Sequence, residues 1–226
     1  MILCIETSST ICSVSIVDQH RVLACEETSI AKNHSSVLVP LIDQIIKKVN
    51  INYDQLRAVA VSSGPGSYTG LRIGVSTAKG IAFAHDLPLM AIPTLDLLYA
   101  NFILQHPNAK GLVLPMIDAR RMEVYMYARS IGQQTTLNAE AKVLDESSMD
   151  EFVKQGETLH IVGDAATKVQ ALIQHAQIHY YSTILPSATS FVDLAEEYWN
   201  SKQFVDVAYF EPFYLKETRI TEKKTK

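Results

Sequence analysis

The sequence predicts an α/β protein built from two like halves, each running β-β-β-α-β-α-β-α. Short apolar runs of strand length alternate with longer runs of helical period. After the looser stretch Gln105-His106-Pro107-Asn108 the same order of elements begins again. In each half the first strand ends on a carboxylate inside a polar turn, Glu6-Thr7-Ser8-Ser9 and Asp118-Ala119-Arg120-Arg121. A chain of 226 residues accommodates this as one large domain or as two small ones sharing a core.

In the first half, residues 2–6 (ILCIE), 12–17 (CSVSIV) and 21–27 (RVLACEE) read as three strands separated by short polar turns. A helical run follows from about Ser36 to Val49, with Pro40 expected in its first turn, where N–H groups lack partners anyway. A strand near 57–62, a helix opening after Gly64-Pro65-Gly66, a short strand at 88–92 and a helix from about Thr94 complete the unit. In the second half, strands are expected near 112–117, 122–128 and 137–144, then a helical segment near 147–155 and a strand at 158–163. Helices near 165–175 and 188–200 close it, with a strand-like QIHYYST at 177–183 between them. The expected boundary gives an N-terminal subdomain over 1–105 and a C-terminal subdomain with a tail over 106–226.

Hydrophobic residues at 47% and charged residues at 19% exclude a disordered or fibrous chain. The formal net charge is −4, and the one basic cluster is the terminal Lys223, Lys224 and Lys226, read as a solvated tail. Phosphate contacts dominate nucleic-acid affinity, so any link to RNA is expected to be indirect. The opening MILCIETSST has no basic n-region and too short an apolar run for a signal peptide or a membrane span. Cys4, Cys12 and Cys25 show no C-x-x-C pairing and read as buried reduced thiols, which suits a soluble protein of a reducing cytoplasm.

The densest motif is Ser62-Ser63-Gly64-Pro65-Gly66-Ser67-Tyr68-Thr69-Gly70, running on through Leu71, Gly74, Val75, Ala78 and Lys79 to Gly80. Gly64 and Gly66 allow a sharp turn off a strand, and Ser67 or Thr69 can cap the next helix. The turn is either purely structural or an anion contact through Gly64, Gly66, Ser67 and Thr69. It lacks the Lys-Ser/Thr ending of a P-loop. Gly70, Gly74, Ala78 and Ala82 recur every four residues and line one helix face. Gly74 in mid-helix costs about 1 kcal/mol relative to Ala, so close approach of another backbone is expected to offset it, within the chain or across a subunit interface. The preceding helix carries Val37, Leu38, Leu41, Ile42, Ile45, Ile46 and Val49, a broad apolar band that fits a buried helix or one that also meets another subunit.

Residues 62–80, the opening IETSST, Asn33-His34-Ser35-Ser36, Pro115-Met116-Ile117-Asp118-Ala119-Arg120-Arg121 and Glu211-Pro212-Phe213-Tyr214-Leu215 together resemble the TsaB family, formerly YeaZ. Residues 62–80 are also similar to the matching stretch of the catalytic paralogue TsaD. The resemblance implies an actin/Hsp70/sugar-kinase-like (ASKHA) fold with two ribonuclease-H-like halves. It implies a non-catalytic subunit of tRNA N6-threonylcarbamoyladenosine synthesis that organises a TsaD-like transferase together with a TsaE-like ATPase. A homodimer is the alternative assembly, with tRNA reached through the complex and no membrane involved. The complex would use ATP and threonylcarbamoyl-AMP, with no cofactor assigned to this chain. Leu38, Leu41, Ile42, Ile45, Gly70, Leu71, Gly74, Val75, Ala78 and Lys79 are the expected partner-binding residues.

In the catalytic paralogues the first helix resembles one bearing two metal-ligand histidines four residues apart. Here His34 matches the first and Leu38 stands at the second, so no metal site is expected. His175 and His179 have helical chelate spacing but span an expected helix-to-strand transition, and the second half has only Gly163-Asp164 near its expected phosphate turn. Glu6, Asp118 and Glu123 read as polar turn residues of a degenerate cleft rather than an acid/base set. The rival reading is an enzyme in its own right, an actin-like ATPase or a metalloprotease of the former glycoprotease class.

Overall fold

The structure, a computed structural model, describes residues 1–29, 34–133 and 139–215. Asn33, the start of the strand expected at 137–144 and the lysines at 223, 224 and 226 lie outside the described residues. The first half contains β1 (Ile2–Glu6), β2 (Cys12–Asp18), β3 (Arg21–Thr28), α1 (His34–Val49), β4 (Ala58–Ser62), α2 (Tyr68–Ala84), β5 (Leu89–Ile92) and α3 (Thr94–Gln105). The second contains β6 (Leu112–Asp118), β7 (Glu123–Met126), β8 (Arg129–Ser130), β9 (Glu140–Val143), α4 (Asp150–Val153), β10 (Leu159–Val162), α5 (Ala166–Leu172), β11 (Ile178–Tyr181) and α6 (Phe191–Asn200).

The two sheets repeat one topology. The first runs β3-β2-β1-β4-β5 and the second β9-β7-β6-β10-β11, with β8 turned back onto β6. In each, the first strand pairs antiparallel with its hairpin partner and parallel with the strand after the first helix. This shared order is the duplication that the sequence pattern anticipated, although the strand expected at 122–128 shortens to β7, with β8 following just beyond it.

Alternation along the strands decides which helices cover which face. Leu3, Ile5, Val59 and Val61 form one core with Leu38, Ile42 and Ile45 of α1 and with Val75 and Ala78 of α2. Ile2, Cys4, Ala58 and Ala60 face the other way, onto Phe191, Val192 and Ala195 of α6. Meanwhile α3 sends Leu95, Leu98 and Phe102 against Val113 and Val162 of the second sheet. The last helix of each half thus lies on the sheet of the other, and a cut after residue 105 parts both from their cores. Arg57 clamps α6 further through an ion pair with the buried Glu196.

One local expectation is corrected. Helix α1 begins at His34 rather than Ser36, so Pro40 lies inside the helix and not in its first turn. It is tolerated there because it sits on the solvent side while Leu38 and Ile42 carry the packing.

Candidate functional site

The Gly64-Pro65-Gly66 turn follows β4 at the end of a fully buried strand, and its partners come from the chain itself. The N–H of Ser67 donates to the Ser8 carbonyl at 2.7 Å, and the N–H of Gly64 to Thr94 Oγ1 at 3.2 Å. Ser67 is the N-cap of α2, its hydroxyl accepting from the Gly70 N–H. Gly64 has a φ of 110°, and a Cβ there would strike the Phe213 carbonyl. The Phe213 N–H in turn donates to the Ser63 carbonyl at 2.7 Å. Gly64, Gly66 and Ser67 therefore seat the chain's own Ser8 turn and its C-terminal strap, the geometry of a structural joint. Thr69 is exposed beside them.

The small-residue stripe is internal as well. A Cβ at Gly70 would collide with the Thr7 carbonyl, and one at Gly74 with Thr7 Oγ1. That hydroxyl donates to the Gly70 carbonyl at 2.8 Å. Of the residues expected to meet a partner, Leu38, Ile42, Ile45, Gly70, Leu71, Gly74, Val75 and Ala78 are buried within this chain. The first turn of the first half needs the room the glycines leave, and sheet 1 needs the aliphatic side chains as cover. Lys79 is half-buried, its Nζ donating to the carbonyls of Ala208 and Phe210. Only Leu41, half-buried, remains at the rim of the helix pair.

The face that α1 and α2 turn outward carries other residues, which the sequence reading missed. Phe83 is 84% exposed and Val39 52% exposed, and Ile73 is half-buried at the margin of the core. Around Gly80 there is open space. Phe83 was legible in principle, standing on α2 out of phase with the Gly70/Gly74/Ala78 stripe.

Between the halves, the turn after β1 and the end of β6 do meet. Ser8, Ser9, Leu98, Ile117, Asp164, Leu185 and Pro186 enclose a cavity of about 10 Å3, roughly the space of one water. A nucleotide does not fit in it. The two turn carboxylates have separate fates. Glu6 is buried beneath its own turn, and burial pushes its carboxyl up to about 7. Asp118 is exposed, accepts from Lys168 Nζ and the Arg120 N–H at 2.6 Å each, and donates its own N–H to Asp164. Lys168 also reaches the Glu123 carbonyl. These groups form two polar networks, not a facing acid/base pair.

His34 is buried at the start of α1 with Nε2 on the Ile11 carbonyl at 3.3 Å, and Leu38, one turn on, lies in the core. This pair does not fit a metal ion, and among the described residues no group of three metal-capable side chains gathers elsewhere. His175 lies beyond the end of α5 and His179 on β11, on separate elements.

A family profile described as TsaD: tRNA N6-adenosine threonylcarbamoyltransferase matches residues 22–218. The chain belongs to this family. Within the TsaD family, the chain is 27% identical over 225 residues to the tRNA threonylcarbamoyladenosine biosynthesis protein TsaB of Escherichia coli, a match covering 95% of this chain and 94% of that one. It is 36% identical over 124 residues to TsaB of Bacillus subtilis, covering 55% of this chain and about half, 52%, of that relative's length. YeaZ from Pseudomonas aeruginosa superposes with a TM-score of 0.82 at 24% identity, over 95% of this chain and 99% of that structure. That likeness shows the fold, with its two sheets of equal topology. Among the described residues no helix is long and apolar enough to cross a membrane.

Proposed function

We propose that this chain is a non-catalytic subunit of tRNA N6-threonylcarbamoyladenosine synthesis that binds a TsaD-like transferase through the outward face of α1 and α2. The observation that carries the reading is Leu38, a core residue one helical turn after His34, where the transferases resemble a helix with a second metal-ligand histidine. Without that ligand the helix serves packing, and what it offers outward is a surface. The relatives matched over nearly the whole chain bear the TsaB name, which supports the same reading.

On this reading Phe83, Val39, Leu41 and Ile73 contact the partner, while the buried stripe and Leu38, Ile42 and Ile45 shape the helix pair from beneath. A TsaE-like ATPase joins the assembly, threonylcarbamoyl-AMP is used by the partner, and tRNA is reached through it. The test is the affinity of the purified chain for the transferase of its own organism, with Phe83→Asp as the variant. An exposed anchor of this kind should cost at least about tenfold in affinity, with stability changed by less than about 0.5 kcal/mol. Unchanged binding, or threonylcarbamoyl transfer by this chain alone, overturns the proposal. Sizing the pure chain distinguishes a face that pairs two copies from one that waits for the transferase.

A further inference from the structure

The first half is joined to the second by residues 106–111, which lead from the end of α3 into β6. Helix α3 closes on His106, whose N–H donates to the Phe102 carbonyl. At the far end of the connection the Ile131 N–H donates to the Gly111 carbonyl at 3.0 Å, and the Leu112 N–H to the Thr158 carbonyl at 2.9 Å. A side chain of the second sheet fastens the middle. His160 of β10 is 6% exposed, with Nε2 at 2.9 Å from the Lys110 carbonyl and Nδ1 at 3.3 Å from the Tyr181 hydroxyl. A carbonyl oxygen only accepts, so Nε2 carries the proton of the neutral ring, and Nδ1 accepts from Tyr181.

Two more imidazoles gather around it. Parallel pairing sets His160 directly beside His179 of β11, and their rings stack with centroids 5.7 Å apart. Phe102 of α3 lies 5.0 Å from the His160 ring and 4.9 Å from that of His106, which in turn lies 4.9 Å from Tyr181. Along β10, Leu159 and Ile161 face α4 and α5, so His160 and Val162 face α3 and the charges of α4 and α5 lie behind the sheet. Among the described residues, the charged groups that act on His160 are His179 beside it and His106 across from it, both cations once protonated. Lys110 and Glu157 are exposed and line an open pocket beside the connection. Protonation of His160 sets one buried imidazolium against another ring of the same kind and leaves the Tyr181 hydroxyl without its acceptor. Burying a charge without a countercharge is costly.

We propose that His106, His160 and His179 form an acid-sensitive joint, which fastens the connection between the halves to the second sheet while the rings are neutral and releases it when they are protonated. The Nε2–H bond to Lys110 is the fastening, and the stacked rings of β10, β11 and the end of α3 are the trigger. Burial holds the His160 imidazole below its ordinary 6.5, so the folded joint binds the proton less tightly than the opened one. Its contribution is whole above 6.5 and is lost as pH falls through the lower folded value. Within that window the opening equilibrium of the connection rises by about tenfold per pH unit.

The test combines amide hydrogen exchange of the full chain between about pH 7.5 and about pH 5, corrected for the intrinsic pH dependence of exchange, with the 15N signals of the imidazoles. The Leu112 and Ile131 amides should lose protection on acidification before the amides of β1 and β4 do. His160 should show an Nε2–H ring at neutral pH and a midpoint below 6.5. His160→Gln keeps a donor that reaches the Lys110 carbonyl but does not titrate, so protection at Leu112 and Ile131 should become insensitive to pH. His179→Ala removes the stacked ring and should raise the His160 midpoint. A His160 midpoint at or above 6.5, a midpoint that His179→Ala leaves in place, or an acid loss of protection spread evenly over both sheets would overturn the proposal. Should His160→Gln not fold, the titrations of the parent chain and of His179→Ala decide the matter.

Discussion

Placing one methyl group on Gly74 tests whether the small-residue stripe serves this chain's own packing. In Gly74→Ala the new Cβ meets Thr7 Oγ1 well inside contact distance, with Thr7 Cβ and Cγ2 at 3.3 and 3.4 Å. Thr7 cannot retreat without loosening its 2.8 Å bond to the Gly70 carbonyl. Overpacking of this kind costs about 1–3 kcal/mol, and a weakened buried hydrogen bond about 1 kcal/mol more. The gain in helix propensity offsets about 1 kcal/mol. The net destabilisation is then about 1–3 kcal/mol, or a fall in Tm of about 3–10 °C for a chain of this size. Thr7→Ala removes Oγ1 and Cγ2 and leaves only the Cβ at 3.3 Å, so the double variant should be more stable than the sum of the single effects by about 1 kcal/mol. Urea unfolding of the four proteins of this cycle provides the measurement. A Gly74→Ala chain as stable as its parent, or a strictly additive cycle, would refute the internal role of the stripe and return it to a subunit interface.

Three further outcomes follow from single contacts. His160 is buried between Lys110 and Tyr181, and desolvation lowers its imidazole below the ordinary 6.5. Its contribution to stability is present above 6.5 and lost as pH falls through the lower folded value, so a Tm decline on acidification should flatten in His160→Asn. Glu196→Ala leaves Arg57 without its acid and the Gln19 N–H without an acceptor, which should cost about 2–3 kcal/mol in urea unfolding. Lys79→Met frees the carbonyls of Ala208 and Phe210, and limited proteolysis should then cut near exposed Tyr209 well before the core unfolds.

The duplication was legible because strand and helix periods are local. Unbroken apolar runs in ILCIE and LVLPMI report strands buried on both faces, and Gly64 and Gly163 mark the sharp turns after β4 and β10 with φ of 110° and 118°. The single-turn α4 over Asp150–Val153 falls within the helical segment expected near 147–155, while the polar residues around it left its bounds wide. The broad band of α1 was visible, but not which of its neighbours it met, since a helix buried on its own sheet and one buried on a partner have the same pattern.

The sequence by itself determined the two repeated units, the family motifs from Glu6 to Leu215 and the leucine in place of a second histidine. These depend on residue type and spacing along the chain. Only the tertiary structure decided that Gly70 and Gly74 receive Thr7, that Phe213 seats the Gly64 turn, that α3 and α6 exchange sheets, and that Glu6 is buried beneath its own turn. The contacts among these join residues far apart in the chain, and the side-chain volume and polarity that match across such a contact become defined only when the two surfaces meet.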